Sequence, residues 1–366
     1  MLKKKCIKRV TIKIGTKVLT ESDNKIARNI MQMIVDQVAV LMDKGIEVVI
    51  VSSGAIGSAL GLLNTNKKGK SLAELQALAS IGQSYLMNMY NECFRSKGYL
   101  AGQILLTQED FNHRKRYLNI GYSIKNLFKY KAVPIINEND AISTEEIQCG
   151  DNDRLSSLVA SLTESDMLII LTDVDGLYDN EGVILKKVEE INDEIRSFCK
   201  GKGSEESKGG MQTKLEAARR AVCSGIKCAI VRGKRKDAII DVVNGKDIGT
   251  VFETTGTRIN ARKRWIAFGI KSRGRVVVDQ GAVKALSLGN KSLLPSGIIE
   301  VEGDFSKGDV VDITSESGKV IARGFSEYPA DDVVKIKGLK TGQIEKVLGY
   351  KGSDEVVHRD NMAGME

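Results

Sequence analysis

The chain has 366 residues, enough for two domains with separate cores, and its 42% hydrophobic and 28% charged residues are those of a soluble globular protein. No stretch approaches the roughly 18–20 apolar residues of a membrane span, and the basic start, MLKKKCIKRVTIKIG, lacks the roughly 7–15-residue apolar run of a signal peptide, so the chain reads as cytoplasmic. The net charge of +8 is uneven: from Arg275 onward 12 Lys and Arg face 15 Asp and Glu, whereas the first 274 residues carry 43 against 32, so the larger part is the one suited to anions.

In chain order, Arg9–Gly15 alternates with period two and ends in glycine, which predicts a strand. Ile26, Ile30, Met33, Ile34, Val38 and Leu41 fall at helical spacing, predicting a helix over 24–44 that Gly45 closes. A buried strand follows over 47–51, a helix over 71–97, a strand over 104–106 and a helix over 112–129. Strands are then expected over 132–136, 167–171 and 227–231, with helices over 153–162 and 211–224. Strand–helix alternation on this scale predicts an α/β fold, a mainly parallel sheet covered on both faces. Beyond a linker-like stretch, 246–271, short runs at 275–279, 297–301, 309–313 and 320–324 predict a small β-rich domain. Residues 200–210 (KGKGSEESKGG) read as a mobile loop.

Several chemistries are unsupported. Cys6, Cys93, Cys149, Cys199, Cys223 and Cys228 form no CxxC pair, and His113 and His358 are the two histidines, so neither a zinc site nor a histidine-rich metal site is indicated. Reduced cysteines fit a cytosolic protein. Gly69-Lys70-Ser71 resembles the end of a P-loop, but position 64 is Asn64 where that motif requires glycine, and no GxGxxG follows a strand.

In an open parallel sheet, ligands bind beyond the carboxyl ends of the strands. Five polar clusters fall there: Lys13 with Gly15-Thr16; Ser52-Ser53-Gly54-Ala55-Ile56-Gly57; Asn137-Glu138-Asn139-Asp140 with Gly150-Asp151-Asn152-Asp153; Thr172-Asp173-Val174-Asp175; and Lys208-Gly209-Gly210-Met211-Gln212-Thr213-Lys214. Glycines with free N–H groups and neighbouring lysines suit phosphate, and the last cluster reads as a glycine pair opening onto a helix, with Lys214 one turn inside. Short acidic and amide side chains suit the ammonium and carboxylate of an amino acid, or nucleotide-bound Mg²⁺, and equally serve as loop-formers.

In IKIGTKVLT (12–20), VIVSSGAIG (49–57), INENDAIS (136–143), GDNDRLSSLVA (150–160), LTDVDGLY (171–178) and GGMQTKLEAA (209–218), the chain closely resembles the glutamate 5-kinases of the amino acid kinase family. RKRWIAFG (262–269) is similar to that family's linker, and SLLPSGI (292–298) and VHRDNM (357–362) to its C-terminal PUA domain. The resemblance implies a three-layer kinase domain over 1–260, a linker over 261–274 and a PUA domain over 275–366. It also implies ATP with Mg²⁺ as cofactors, L-glutamate as acceptor, proline as feedback inhibitor and a homo-oligomer, tetramer or dimer. By motif, Ser53, Gly54, Asp140 and Asn152 would bind glutamate. Thr172, Asp173 and Lys208, Gly209, Gly210, Met211, Gln212, Thr213 and Lys214, with Lys13, would hold ATP. Lys13 and Lys214 would be the catalytic cations, Asp153 would orient them, and no metal ligand from the protein is indicated. Lys208 stands where many members have a small residue, and Arg154 where some have asparagine. Other acceptors (aspartate, N-acetylglutamate, carbamate) and RNA binding by the tail are the alternatives; the tail's acidic balance disfavours the second, although Lys335, Lys337 and Lys340 would make a small patch.

Overall fold

The computed structural model describes residues 7–21, 25–142, 151–200, 205–254, 263, 266–267, 271–287, 291–350 and 352–365. Two compact units divide the chain: Met1–Asp110 with Arg114–Arg258, and Ile259–Glu366 with Phe111–His113.

Eight strands make the sheet of the first unit: β1 (Arg9–Ile14), β2 (Glu47–Ser52), β3 (Leu100–Leu106), β4 (Ala132–Glu138), β5 (Met167–Thr172), β6 (Lys187–Val188), β7 (Lys227–Arg232) and β8 (Thr250–Phe252). Their order is β3-β4-β2-β1-β5-β7-β8-β6, and every neighbouring pair is parallel except β7 with β8. Helices in chain order are α1 (Thr16–Leu19), α2 (Arg28–Asp43), α3 (Ala55–Leu62), α4 (Leu72–Arg95), α5 (Gln108–Asn112), α6 (Arg114–Lys129), α7 (Asp151–Leu162), α8 (Asp193–Ser197), α9 (Glu205–Cys223) and α10 (Ala238–Val243).

Strand residues of alternate parity point to opposite faces. Val10, Ile12, Ile14, Val48, Ile50, Ile169 and Leu171 therefore pack one way, against Ile34 and Val38 of α2 and Leu86 and Tyr90 of α4. Leu168, Ile170, Cys228 and Ile230 face the other way, against Leu215, Ala218 and Ala221 of α9. Because both faces are covered, the central strands read as continuous apolar runs, and the result is the expected three-layer α/β sandwich. β1 lies between β2 on one side and β5 on the other. The chain thus winds outward both ways from β1, which opens a crevice at the carboxyl ends of β1, β2, β4 and β5.

α4 begins with a capping box: Glu74 N–H donates to Ser71 Oγ (3.3 Å), and Ser71 N–H donates to Glu74 Oε2 (2.8 Å). On its buried side, Gly82 lets α4 approach α3 very closely, since a Cβ there would sit 1.7 Å from the Ala55 carbonyl oxygen.

The structure corrects three expectations. The helix expected over 211–224 starts at Glu205, so Gly209 and Gly210 lie inside α9, and residues 205–210 are helical rather than loop. Glu205–Lys208 are adequate helix formers that carry the helix across the glycine pair, at about 1 kcal/mol per glycine relative to alanine. The linker-like stretch 246–271 contains β8, whose three residues, paired between β7 and β6, are too few to show an alternation. Third, β4 continues through Glu138, which puts Asn137 and Glu138 within the strand.

The second unit has its own five-stranded sheet: β9 (Gly274–Val278), β10 (Ile298–Gly303), β11 (Val310–Ser315), β12 (Val320–Ser326) and β13 (Val357–Gly364), ordered β10-β9-β11-β12-β13. Val276, Ile313, Tyr328, Val333 and Ile336 form part of its separate core. The β-rich expectation holds for the four strands read in the sequence. β13 (VHRDNMAG) lacks an apolar alternation and is held by pairing with β12.

Candidate active site

Lys13 sits one residue before the end of β1. Its neighbours Ile12 and Ile14 point into the α2/α4 core, so Lys13 is directed to the opposite face. A lysine there would be costly without a partner, because a buried ammonium must be paired. Asp153, in the first turn of α7, supplies it: Lys13 Nζ lies 2.7 Å from Asp153 Oδ1, with the side chains only 6% and 1% exposed. The other carboxylate oxygen accepts from Thr213 Oγ1 at 2.7 Å and from Lys214 Nζ at 3.4 Å. Lys214 also donates to the Gly210 carbonyl at 2.8 Å, one turn back in α9.

Burial raises the Asp153 pKa, but Lys13, Lys214 and the Thr213 hydroxyl outweigh it and hold the carboxyl below its ordinary range. Asp153 is therefore a fixed anion at neutral pH. Two ammonium groups around one carboxylate leave this cluster with a net positive charge in a poorly solvated place, where an anion is strongly attracted. Gly15 keeps the approach open: a Cβ there would lie 3.6 Å from Lys13 Nζ. Its N–H donates to the Leu171 carbonyl at 3.2 Å, tying the loop after β1 to the end of β5.

At the end of β5, the buried Thr172 donates its hydroxyl to Asp173 Oδ1 at 3.1 Å. Lys17 Nζ approaches Asp173 Oδ2 at 3.5 Å. Burial raises the Asp173 pKa, but its own backbone N–H, the Thr172 hydroxyl and Lys17 outweigh it and hold the carboxyl below its ordinary range. Beside it, Arg232 at the end of β7 grips Asp175 through two bonds of 2.6 and 2.8 Å.

On the other side of β1 a chain of uncharged groups lies near two acids at the end of β4, Glu138 and Asp140. Asn152, the neighbour of Asp153, donates both hydrogens of its amide: to Ser53 Oγ at the end of β2 and to Asn137 Oδ1 at the end of β4, each at 3.0 Å. Gly54 follows Ser53 with φ +108°, a conformation that strains any L side chain. Asp140 lies half-buried two residues beyond β4.

The residues singled out from the sequence thus meet in two groups: Lys13, Asp153, Thr213 and Lys214, and Ser53 with Asn152. Thr172 and Asp173 are joined to the first group through Gly15. Gln212 is exposed, whereas Met211 packs half-buried against the α9 core. The side chains at 205–209, hence that of Lys208, lie outside the described residues, as do 143–150; Arg154 is exposed. Sequence reasoning named Asn137 within a cluster without giving it a role, and it passed over Lys17, Arg232 and Gln83. A buried glutamine among apolar positions of α4 was the one available signal for the last of these.

Among the described residues, no group of three His, Cys, Asp or Glu is placed to hold a metal ion. Asp153, the most buried acid here, is already committed to two lysines. The site does not fit a protein-held Mg²⁺.

The amino acid kinase family pattern matches residues 8–232, and the PUA domain pattern matches 274–348. Over 364 residues the chain is 47% identical to the glutamate 5-kinase of Thermoanaerobacter sp. (strain X514), covering 98% of each chain. It is 44% identical over 361 residues to that of Moorella thermoacetica (strain ATCC 39073 / JCM 9320), covering 97% of this chain and 96% of that one. Among solved structures, the N-acetylglutamate synthase of Neisseria gonorrhoeae shares the fold, with a TM-score of 0.50 and 12% identity over 68% of this chain and 60% of that one.

The chain belongs to the amino acid kinase family of phosphotransferases and carries a PUA domain behind the kinase region. The relatives that match it along its whole length are glutamate 5-kinases.

Proposed function

We propose that this protein transfers the γ-phosphoryl group of ATP to the side-chain carboxylate of L-glutamate, giving L-glutamyl 5-phosphate and ADP, the first step of proline biosynthesis. The observation that carries the reading is the pair of lysines, Lys13 and Lys214, gathered on Asp153 at the strand ends. The acceptor carboxylate is already ionised at neutral pH, with a pKa of about 4.3, so no general base is required. The obstacle is repulsion between that anion and the γ-phosphate, and phosphoryl transfer is driven by positioning and charge neutralisation. One carboxylate oxygen forms the new bond to the γ-phosphorus while the bond from that phosphorus to the β–γ bridging oxygen breaks, and the oxygen keeps the electron pair and leaves as part of ADP. Lys13 and Lys214 offset the charge that spreads over the transferring group, and Asp153 holds both ammonium groups in place.

Ser53, Gly54, Asp140 and Asn152 receive the amino acid; Thr172, Asp173 and the 208–214 segment receive ATP. Mg²⁺ is assigned to the nucleotide, and no step is routed through it. Feedback inhibition by proline, a homo-oligomer and a cytoplasmic location belong to the same reading, as do domain limits of 1–260, 261–274 and 275–366. RNA binding by the last segment is not favoured, since Lys335 is spent on Asp332 at 3.1 Å.

The test is ADP release with glutamate, aspartate, N-acetylglutamate and carbamate as acceptors, with hydroxylamine trapping of the acyl phosphate. Product from glutamate alone is expected; product from another acid and none from glutamate overturns the assignment. In folded Lys214→Ala, kcat is expected to fall about 10²–10³-fold, the usual effect of removing one charge-stabilising group. Near-normal turnover would remove Lys214 from its role.

A further inference from the structure

The neutral side of the site continues past Asn137 to a residue with no assigned part. Gln83, on the buried face of α4, accepts a hydrogen bond at Oε1 from Asn137 Nδ2, 2.9 Å away. The bonds Gln83–Asn137–Asn152–Ser53 form one chain drawn from α4, β4, α7 and the end of β2.

The direction of this chain is set by a backbone group. The Glu138 N–H donates to Asn137 Oδ1 at 2.9 Å, and an N–H can only donate. Asn137 Oδ1 must therefore be the acceptor end of its amide, and Nδ2 must face α4. There it needs an acceptor, which Gln83 Oε1 provides. With Oδ1 of Asn137 so oriented, Asn152 must present its own Nδ2, and its Oδ1 is turned the other way. That oxygen is buried and has no hydrogen-bond partner among the described residues, and the same holds for Nε2 of Gln83 at the far end. Buried polar atoms are rarely left unmatched unless a ligand completes them. Asn152 Oδ1 is an acceptor of the kind an ammonium group requires.

We infer that Gln83 is a positioning residue for the amino-acid substrate: by locking the Asn137 amide it fixes the Asn152 amide, and so presents Asn152 Oδ1 to the substrate's ammonium group. This rests on the function proposed above. Without Gln83, Asn137 Nδ2 is left buried without its acceptor and the amide is held at its oxygen end alone, by the Glu138 N–H; the Asn152 amide bonded to it is then less firmly fixed, and its Oδ1 is presented less precisely to the ammonium. Gln83 itself need not touch the substrate. Its loss acts on amino-acid binding and leaves the Lys13–Asp153–Lys214 cluster intact.

The decisive measurement is steady-state kinetics of full-length Gln83→Met, a variant of similar volume with no strong acceptor, alone and combined with Asn152→Ala. Expected is a KM for glutamate raised about tenfold, with the KM for ATP within twofold of wild type. In the Asn152→Ala background, Gln83→Met is expected to add less than twofold, because residues that act through one another are non-additive. An unchanged KM for glutamate in the single variant overturns the inference, and so does an undiminished tenfold effect on top of Asn152→Ala. Should Gln83→Met not fold, Gln83→Glu keeps an acceptor facing Asn137 and is expected to bind glutamate within about threefold of wild type; a tenfold rise overturns the inference. Absence of glutamate-dependent turnover in the wild-type protein defeats the proposed function instead, and is read before any variant is made.

Discussion

Asn152 and Asp153 are consecutive residues of one helix, yet each organises a different kind of chemistry. Successive side chains of an α-helix point about 100° apart. The first turn of α7 therefore serves both sides of β1 at once. Asp153 collects two lysines and a threonine hydroxyl into a charged cluster, while Asn152 joins an uncharged chain of amides and a serine. The charged side suits a group whose charge changes during reaction, since electrostatic preorganisation acts on the transition state. The neutral side suits recognition of a zwitterion whose own charges stay constant. Mutations on the charged side should read out in kcat, and those on the neutral side in KM.

The largest effect is expected for Lys13→Ala. It removes the nearer cation and leaves Asp153 buried with only the more distant Lys214. A fall in kcat of about 10³-fold is expected, together with about 3–5 kcal/mol of lost stability, measured by ADP release and by denaturant unfolding. Wild-type turnover in this variant would break the comparison at its charged end.

Asp153→Asn keeps the shape and removes the anion that draws the two lysines together and offsets their repulsion; kcat is expected to drop about 10²-fold. It also tests the titration. The Asp153 pKa is depressed in the folded state, so the unfolded chain binds its proton at a higher pH than the folded one. The stability from this group is fully present above the unfolded value of about 3.9 and is lost as pH falls through the lower folded value. Thermal unfolding between pH 6 and pH 3 should therefore show a shallower acid decline in Asp153→Asn than in wild type. Identical slopes would show that the carboxylate is not held by its lysines.

On the neutral side, Ser53→Ala removes the hydroxyl that accepts from Asn152. The KM for glutamate is expected to rise about tenfold, equivalent to about 1.4 kcal/mol, with kcat within threefold of wild type. A kcat defect larger than the KM defect would mean that the two sides are not separable. The smallest effect is a control away from the site: Ser71→Ala opens the capping box of α4 and should cost about 1 kcal/mol of stability with both kinetic constants unchanged.

The two units also differ in how readily they were read. Central strands such as Met167–Thr172 are buried at every position and stand out as apolar runs. β10, exposed at several positions, and β13, whose pattern is irregular, depend on pairing with a neighbour to be strands at all. The short strands β6 and β8 carry too few residues to show a period. The start of α9 was misplaced because a glycine pair ordinarily marks a boundary, whereas here packing of Leu215, Ala218 and Ala221 on the sheet stabilises a helix that extends through it.

Within the site, the strand ends announced themselves. A parallel strand buried on both faces is mostly apolar, so the polar residues at its carboxyl end (Asn137 in β4, Thr172 in β5 and Ser53 just after β2) lie where the strand emerges toward the crevice. That much is local, and the amino-acid sequence by itself determined it, together with the alternation that makes the α/β class. It did not determine which strand ends are neighbours, because the order β3-β4-β2-β1-β5 depends on how helices of the two layers pack. Only the tertiary structure could bring Lys13 of β1 to Asp153 of α7 and Lys214 of α9, residues 140 and more positions away in the chain. The same holds for Gln83: on a helix it is one polar residue among apolar ones. Only the approach of α4 to β4 converts it into the acceptor that orients an amide chain, since hydrogen-bond direction is decided by which groups meet, not by their order along the chain.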